Sequence, residues 1–280
     1  MPYCTYDEVK AAINFPDTGA PVSDADITEF ITYSEAEIEA VYNTKFGVVE
    51  QSGTADGDYS TTTLSLTTLD MTTDAYVGYV LWITAGTNSG EYRQISANDA
   101  TKITVDTAFS GATDVTSEFK ILKLGYNNET IDGDGTDTLF TTGFPLIELN
   151  ELTINSVSVT PSYVYQYKSA GKLLLGTANC EATYFNDSQP QLVNLKYVYG
   201  VYPLPTIIKR LCILLTGIRT LNAKVGGSYT DFATISLPGG VSGSKGQPYV
   251  NLKAGADALG KEAKNIAEQV YRPFTLFEQA

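Results

Sequence analysis

The sequence predicts an α+β chain: a helical bundle formed by N- and C-terminal helices, with an inserted all-β region of two small β units. Residues 5–46 and 205–272 carry apolar side chains at three- and four-residue spacing, the period of helices with one buried face. Residues 59–200 are instead rich in Thr, Val, Ile and Tyr, with turn residues every eight to twelve positions, the pattern of all-β domains. Neither helical segment can bury its stripe alone. The two are expected to pack on each other, with the β region inserted at one exposed loop.

Thr5-Tyr6-Asp7-Glu8 reads as a capping box, with Thr5 as N-cap and Glu8 reaching back to its amide. A short helix follows to about Asn14, and Phe15-Pro16-Asp17-Thr18-Gly19 ends it. Ser23 caps a second helix, with Asp24 and Asp26 at its positive end. Ile27, Phe30, Ile31, Ile38, Val41 and Tyr42 form its apolar stripe, opposite Glu29, Glu35, Glu37 and Glu39. Within the β region, Thr63-Leu64-Ser65-Leu66-Thr67 alternates, and Val193, Leu195, Tyr197 and Tyr199 share one strand face. Gly86-Thr87-Asn88-Ser89-Gly90, Asp132-Gly133-Asp134-Gly135 and Ser169-Ala170-Gly171 mark turns. Helix returns after Pro203 and Pro205, with Ile207, Ile208, Leu211, Cys212, Leu214, Leu215, Ile218 and Leu221 on a broad apolar face. A glycine-rich loop, 226–250, precedes a last amphipathic helix from about Leu252 to Tyr271, which Pro273 stops. The expected segments are 1–49 and 205–280 for the helical part, 50–124 and 125–204 for the two β units, and 273–280 for a tail.

Composition narrows the function. Histidine is absent, which removes the commonest general base and metal ligand. Cys4, Cys180 and Cys212 are scattered and odd in number, so neither a disulfide framework nor a zinc site is expected, and Cys212 reads as core. The aspartates of 132–137 resemble a calcium loop, but the twelfth position is Gly143 rather than a bidentate Glu. The glycine-rich stretches lack the order of a phosphate-binding loop. No enzymatic site, metal or cofactor is expected.

No stretch reaches the ~20 apolar residues of a membrane span, and residues 1–20 lack a signal-peptide pattern. The net charge of −14 disfavours a basic glove around nucleic acid. Charge is uneven: residues 1–46 hold 2 basic and 9 acidic side chains, and residues 205–272 hold 9 and 4. This split predicts either two solvated faces of unequal charge, or contacts with a charged partner or between copies, the last with Glu29, Glu35 and Glu39 facing Lys209, Arg210 and Arg219.

Several stretches resemble the head–tail connector, or adaptor, proteins of tailed bacteriophages. They are Tyr3-Cys4-Thr5-Tyr6-Asp7-Glu8-Val9-Lys10 and the acidic helix from Ser23-Asp24-Ala25-Asp26-Ile27 to Tyr42-Asn43-Thr44-Lys45-Phe46. Gly78-Tyr79-Val80-Leu81-Trp82-Ile83 with Tyr92-Arg93-Gln94-Ile95 is similar to a small β module of virion proteins, and Asp132-Gly133-Asp134-Gly135 with Phe144-Pro145-Leu146 to another stretch of this group. Tyr197-Val198-Tyr199-Gly200 with Pro203, Pro205, Ile207 and Ile208 is similar to the approach to its C-terminal helix. Members are often much shorter, so the β insertion is the departure.

The resemblance implies a ring, typically a dodecamer, in the virion neck, assembled in the host cytoplasm. Such a ring docks on the portal protein, carries a stopper or tail-completion protein, and lets DNA pass its lumen without specific binding. The tail residues Pro273, Phe274, Leu276 and Phe277 are expected either to dock into an apolar cleft of the portal or to fold back on their own helices. Two other classes remain: a tail or capsid decoration protein, and a glycan-binding β module of a host-recognition apparatus.

Overall fold

The computed structural model describes residues 1–14, 22–57, 59–176, 182, 184–185, 193–227, 234–236, 242–244 and 248–271. The chain divides into two compact units, one from Asn43–Pro203 with Met1, the other from the described parts of Pro2–Tyr42 and Leu204–Ala280.

The first unit is all β. Its strands are β1 (Val49–Thr54), β2 (Thr63–Ser65), β3 (Val80–Ala85), β4 (Tyr92–Asn98), β5 (Lys102–Val105), β6 (Glu118–Leu122), β7 (Gly125–Ile131), β8 (Thr138–Phe140), β9 (Leu146–Ile154), β10 (Val157–Val159), β11 (Tyr165–Tyr167), β12 (Lys172–Leu174) and β13 (Val193–Tyr199). A six-stranded antiparallel sheet runs β1-β6-β3-β4-β5-β2, a four-stranded sheet β10-β9-β13-β7, and a three-stranded sheet β11-β12-β8.

This corrects the expected fold class. The chain is mostly β and is not a helical bundle carrying two small β units. Sequence reading underweights the β part because many strands are only three or four residues long and rich in Thr and Ser, too short to show a period. Their stability comes from pairing and a shared core rather than from local preference.

That core lies in layers. Leu81, Ile83, Ile95, Ile103, Phe119 and Ile121 fill one cluster, and Leu152, Leu173, Phe185, Val193, Leu195 and Tyr197 another. Val80, Leu122, Leu124 and Val198 join the six- and four-stranded sheets. In β13, Val193, Leu195 and Tyr197 are buried on one face and Asn194 is exposed on the other, where only Val198 is buried. Its neighbour β9 does not alternate. Register slips between Lys196 and Tyr197, so Asn150 is an extra residue and Leu149 turns onto the face of Leu152. Gly125 and Gly143 lie against the Tyr199 ring, where a Cβ would sit 2.3 Å and 2.7 Å from it.

Turns read from the sequence form as turns. Gly86 (φ 76°), Asn88 (φ 66°) and Gly90 (φ 94°) take left-handed conformations between β3 and β4. Between β7 and β8, Asp134 accepts from the Thr136 amide at 2.9 Å and its hydroxyl at 2.7 Å.

A charged knot links β4 to β9. Arg93, 8% exposed, donates to Glu148 at 2.9 Å, to Glu91 at 2.6 Å and to the Ala108 carbonyl at 3.1 Å. Glu148 also accepts from the Tyr92 amide at 2.6 Å. Burial holds its carboxyl above the usual range, against the pull of Arg93.

The second unit holds helices α1 (Tyr6–Ile13), α2 (Asp24–Tyr42), α3 (Thr206–Gly227) and α4 (Pro248–Tyr271), and a hairpin of β14 (Thr234–Ser236) and β15 (Ser242–Ser244). The capping box forms: Thr5 Oγ1 accepts from the Glu8 amide at 3.2 Å, and Glu8 from the Thr5 amide at 3.0 Å. The expected loop 226–250 is thus interrupted by paired strands, and α4 starts earlier than its apolar spacing shows. Pro248 suits a first helical turn, where its missing N–H has no partner to lose. Gly217 of α3 admits Ile13 of α1 and Leu259 of α4.

Arg93→Met should lower stability by about 3 kcal/mol, because Glu91 and Glu148 lose the cation that compensates their burial. Adding Glu148→Gln should recover part of that loss. Chemical denaturation checks both, and a single-variant loss below about 0.5 kcal/mol would contradict the role given to Arg93.

Candidate functional site

Among the described residues, the helical unit leaves one of its apolar faces open. In α2, Ile27, Ile31, Ile38 and Tyr42 are buried as the stripe requires, but Val41 remains 57% exposed. Leu215 and Ile218 of α3 are only partly covered. These side chains line a groove of about 220 Å³ between α2, α3 and α4, closed on the α4 side by Gly260, Ala263 and Ala267. Glu37 and Lys264 are its charged lining residues. Small-molecule sites are larger as a rule and carry several convergent polar groups. A groove of this size and polarity suits one or two large apolar side chains from another protein.

The walls are held by polar contacts beneath them. Ser34 of α2 is fully buried and accepts from Thr216 Oγ1 at 3.0 Å and from Arg219 at 2.8 Å. Arg219 also pairs with Glu37 at 2.7 Å. Lys209 pairs with Glu8 at 2.6 Å and Arg210 with Glu262 at 2.8 Å. The three cations named from charge patterning therefore have partners within one subunit, and only Arg219 meets the acidic face of α2. Of the acidic residues, Glu29 accepts from Tyr33 and stays exposed. Glu35 is buried at 4% and accepts from the Tyr3 amide, while Glu39 accepts from Tyr3 Oη at 2.6 Å. Pro273, Phe274, Leu276 and Phe277 lie outside the described residues.

A second cavity, of about 540 Å³, is lined by Glu91, Arg93, Ser110, Glu148, Asn150 and Lys168 in the β unit. Its carboxylates are both engaged by Arg93. On the three-stranded sheet, Tyr167, Lys172 and Phe140 lie in one row across the strands, next to Tyr165. Tyr165, Tyr167 and Phe140 are 58%, 52% and 60% exposed. Sequence reading passed over both features. The Glu91-x-Arg93 spacing, which puts both on one strand face, is the only local sign of the first.

No protein-family model matches the chain, and no curated protein matches it.

The Lys209 contact, more than any other cause, holds the Glu8 carboxyl below its usual range; the Thr5 amide adds to this. A depressed folded pKa gives stability that is present above the unfolded value of about 4.3 and lost as pH falls through the folded value. Glu8→Gln keeps the cap but removes the charge. It should cost about 0.5 kcal/mol near neutral pH, and progressively less as pH falls below the unfolded value. Denaturation followed by helical circular dichroism checks this, and a difference independent of pH would contradict it.

Proposed function

We propose that this chain is a structural virion protein, a head–tail adaptor that forms a ring between portal and stopper or tail and extends the DNA channel. The observation that carries the reading is the open groove of the helical unit. Val41, Leu215 and Ile218 occupy stripe positions that the described residues of one subunit leave partly uncovered. An assembly contact with a second copy of this chain covers such positions, and burial of each large apolar side chain is favourable by about 1.5–3 kcal/mol. The resemblance of residues 3–10 and 23–46 to phage adaptors supports the same reading, since those residues supply α1 and α2. The net charge of −14 also suits a lumen through which DNA slides without adhering.

A glycan-binding or decoration role has one observation in its favour, the exposed row of Tyr167 and Phe140 with Tyr165 beside it. Aromatic faces of this kind stack on sugar rings. Such a protein binds glycans as a monomer or trimer and needs no closed ring.

Negative-stain images of the purified protein should show closed rings with an open centre. Val41→Glu and Leu215→Glu put a charge into the groove at positions not fully buried. Each should convert rings to single copies in sedimentation with helix content retained. A wild-type protein that is monomeric at micromolar concentration, or rings unchanged in both variants, would contradict the assignment.

A further inference from the structure

Cys4 and Cys212 are 208 residues apart in sequence, yet their sulfurs lie 3.6 Å apart. Both are free thiols, 2% and 0% exposed. Their placement is fixed from both sides of Cys4. Tyr3, on one side, is held by Glu35 and Glu39 of α2. Thr5, on the other, is held by Glu8, which is itself bonded to Lys209 of α3. Cys212 lies within α3, five residues before Gly217, where Ile13 of α1 packs.

We propose that Cys4 and Cys212 form an oxidative cross-link site, which a small-molecule disulfide converts to a Cys4–Cys212 disulfide tying the start of α1 to α3. A disulfide needs its sulfurs about 2.05 Å apart, so the pair must close by roughly 1.5 Å, within reach of rotation about the two Cα–Cβ bonds. The chemistry balances. One thiolate attacks the oxidant's disulfide and releases a small thiol. The second thiolate then attacks the mixed disulfide and releases the other. The two cysteines lose two protons and two electrons, and the oxidant leaves as two thiols.

Contact with Cys4 and burial push the Cys212 thiol up, so Cys212 is inert while the helical unit is closed. Exchange starts at Cys4, which precedes α1 and opens without melting a helix. In an unfolded chain, bringing residues this far apart together has a large entropic cost, which the folded unit has already met. The loop-closure relation puts the advantage on the order of a thousandfold or more before strain is subtracted. By linkage, the disulfide must stabilise the helical unit in return.

The test uses the full chain carrying Cys180→Ser, so that only one intramolecular pair is possible. Reduced and oxidised starting material are each equilibrated in glutathione redox buffers, with and without guanidinium, then quenched, denatured and alkylated. The disulfide form should be favoured at least about tenfold more strongly under native conditions than in denaturant. Its mass should be two hydrogens below that of the unalkylated reduced chain, its digest should contain a Cys4–Cys212 linked peptide, and its melting temperature should exceed that of the reduced chain. Cys4→Ser in the same background should abolish all three signatures. Equal disulfide fractions with and without denaturant, mixed glutathione adducts alone, or linked dimers alone would each overturn the proposal. Approach from both starting states keeps slow access to the buried pair from hiding the equilibrium.

Discussion

The contact between α2 and α3 is the constraint on which the helical unit depends. Ile27, Ile31 and Ile38 on one helix and Leu211 and Leu214 on the other are almost fully buried. Neither stripe can leave water without a partner, and helices of this length have little stability alone. Apolar burial sets the attraction, but it is not directional. The buried hydroxyls of Ser34 and Thr216, and the Arg219 guanidinium that reaches Ser34 and Glu37, choose one register. A slipped register strands those groups without partners, at roughly 1–3 kcal/mol each. The whole β unit is therefore an excursion of chain between two helices that must meet, and α1 and α4 are added to that pair.

The β unit solves a separate problem. Among the described residues, thirteen mostly short strands are arranged in three sheets, and none of the three-residue strands is stable by itself. Its central strand, β13, buries Val193, Leu195, Tyr197 and Val198 and pairs with both β9 and β7. The Tyr197 hydroxyl accepts from the Gly143 amide at 2.9 Å and from Asn127 at 2.8 Å, and donates to Glu129 at 2.7 Å. The extra residue at Asn150 turns the end of β9 so that Glu148 meets Arg93, and the Asn150 side chain donates through Nδ2 to the Tyr92 carbonyl at 3.1 Å. A local irregularity thus produces the polar link between two sheets.

These details explain what was legible in the sequence. The capping box at Thr5, the alternation of β13 and the Gly86–Gly90 turn are local patterns, and each forms as read. The dominance of β structure was not legible, because strands such as Lys172–Leu174 are fixed by partners more than thirty residues away, as in Leu173 opposite Leu139. The bulge in β9 hid Leu149 from any period-two reading. Among site residues, charge was visible but pairing was not: nothing local joins Lys209 to Glu8 or Arg210 to Glu262. Val41 was read as core from its spacing, and its exposure is what reveals the groove. The Cys4–Cys212 pair left no local sign, since the fold alone brings the two together.

The proposed adaptor role joins these observations. A helical unit with an unfilled apolar groove is suited to meet its own copies, while the β unit presents a different surface. Cross-linking the assembled particle with a lysine-reactive reagent tests this most directly, using mixed isotopically light and heavy copies so that links between copies are recognised by mass. The account predicts that these links join helical-unit lysines such as Lys209, Lys224, Lys261 and Lys264. Links between copies confined to β-unit lysines such as Lys102, Lys120 and Lys172, or no links between copies at all, would contradict it.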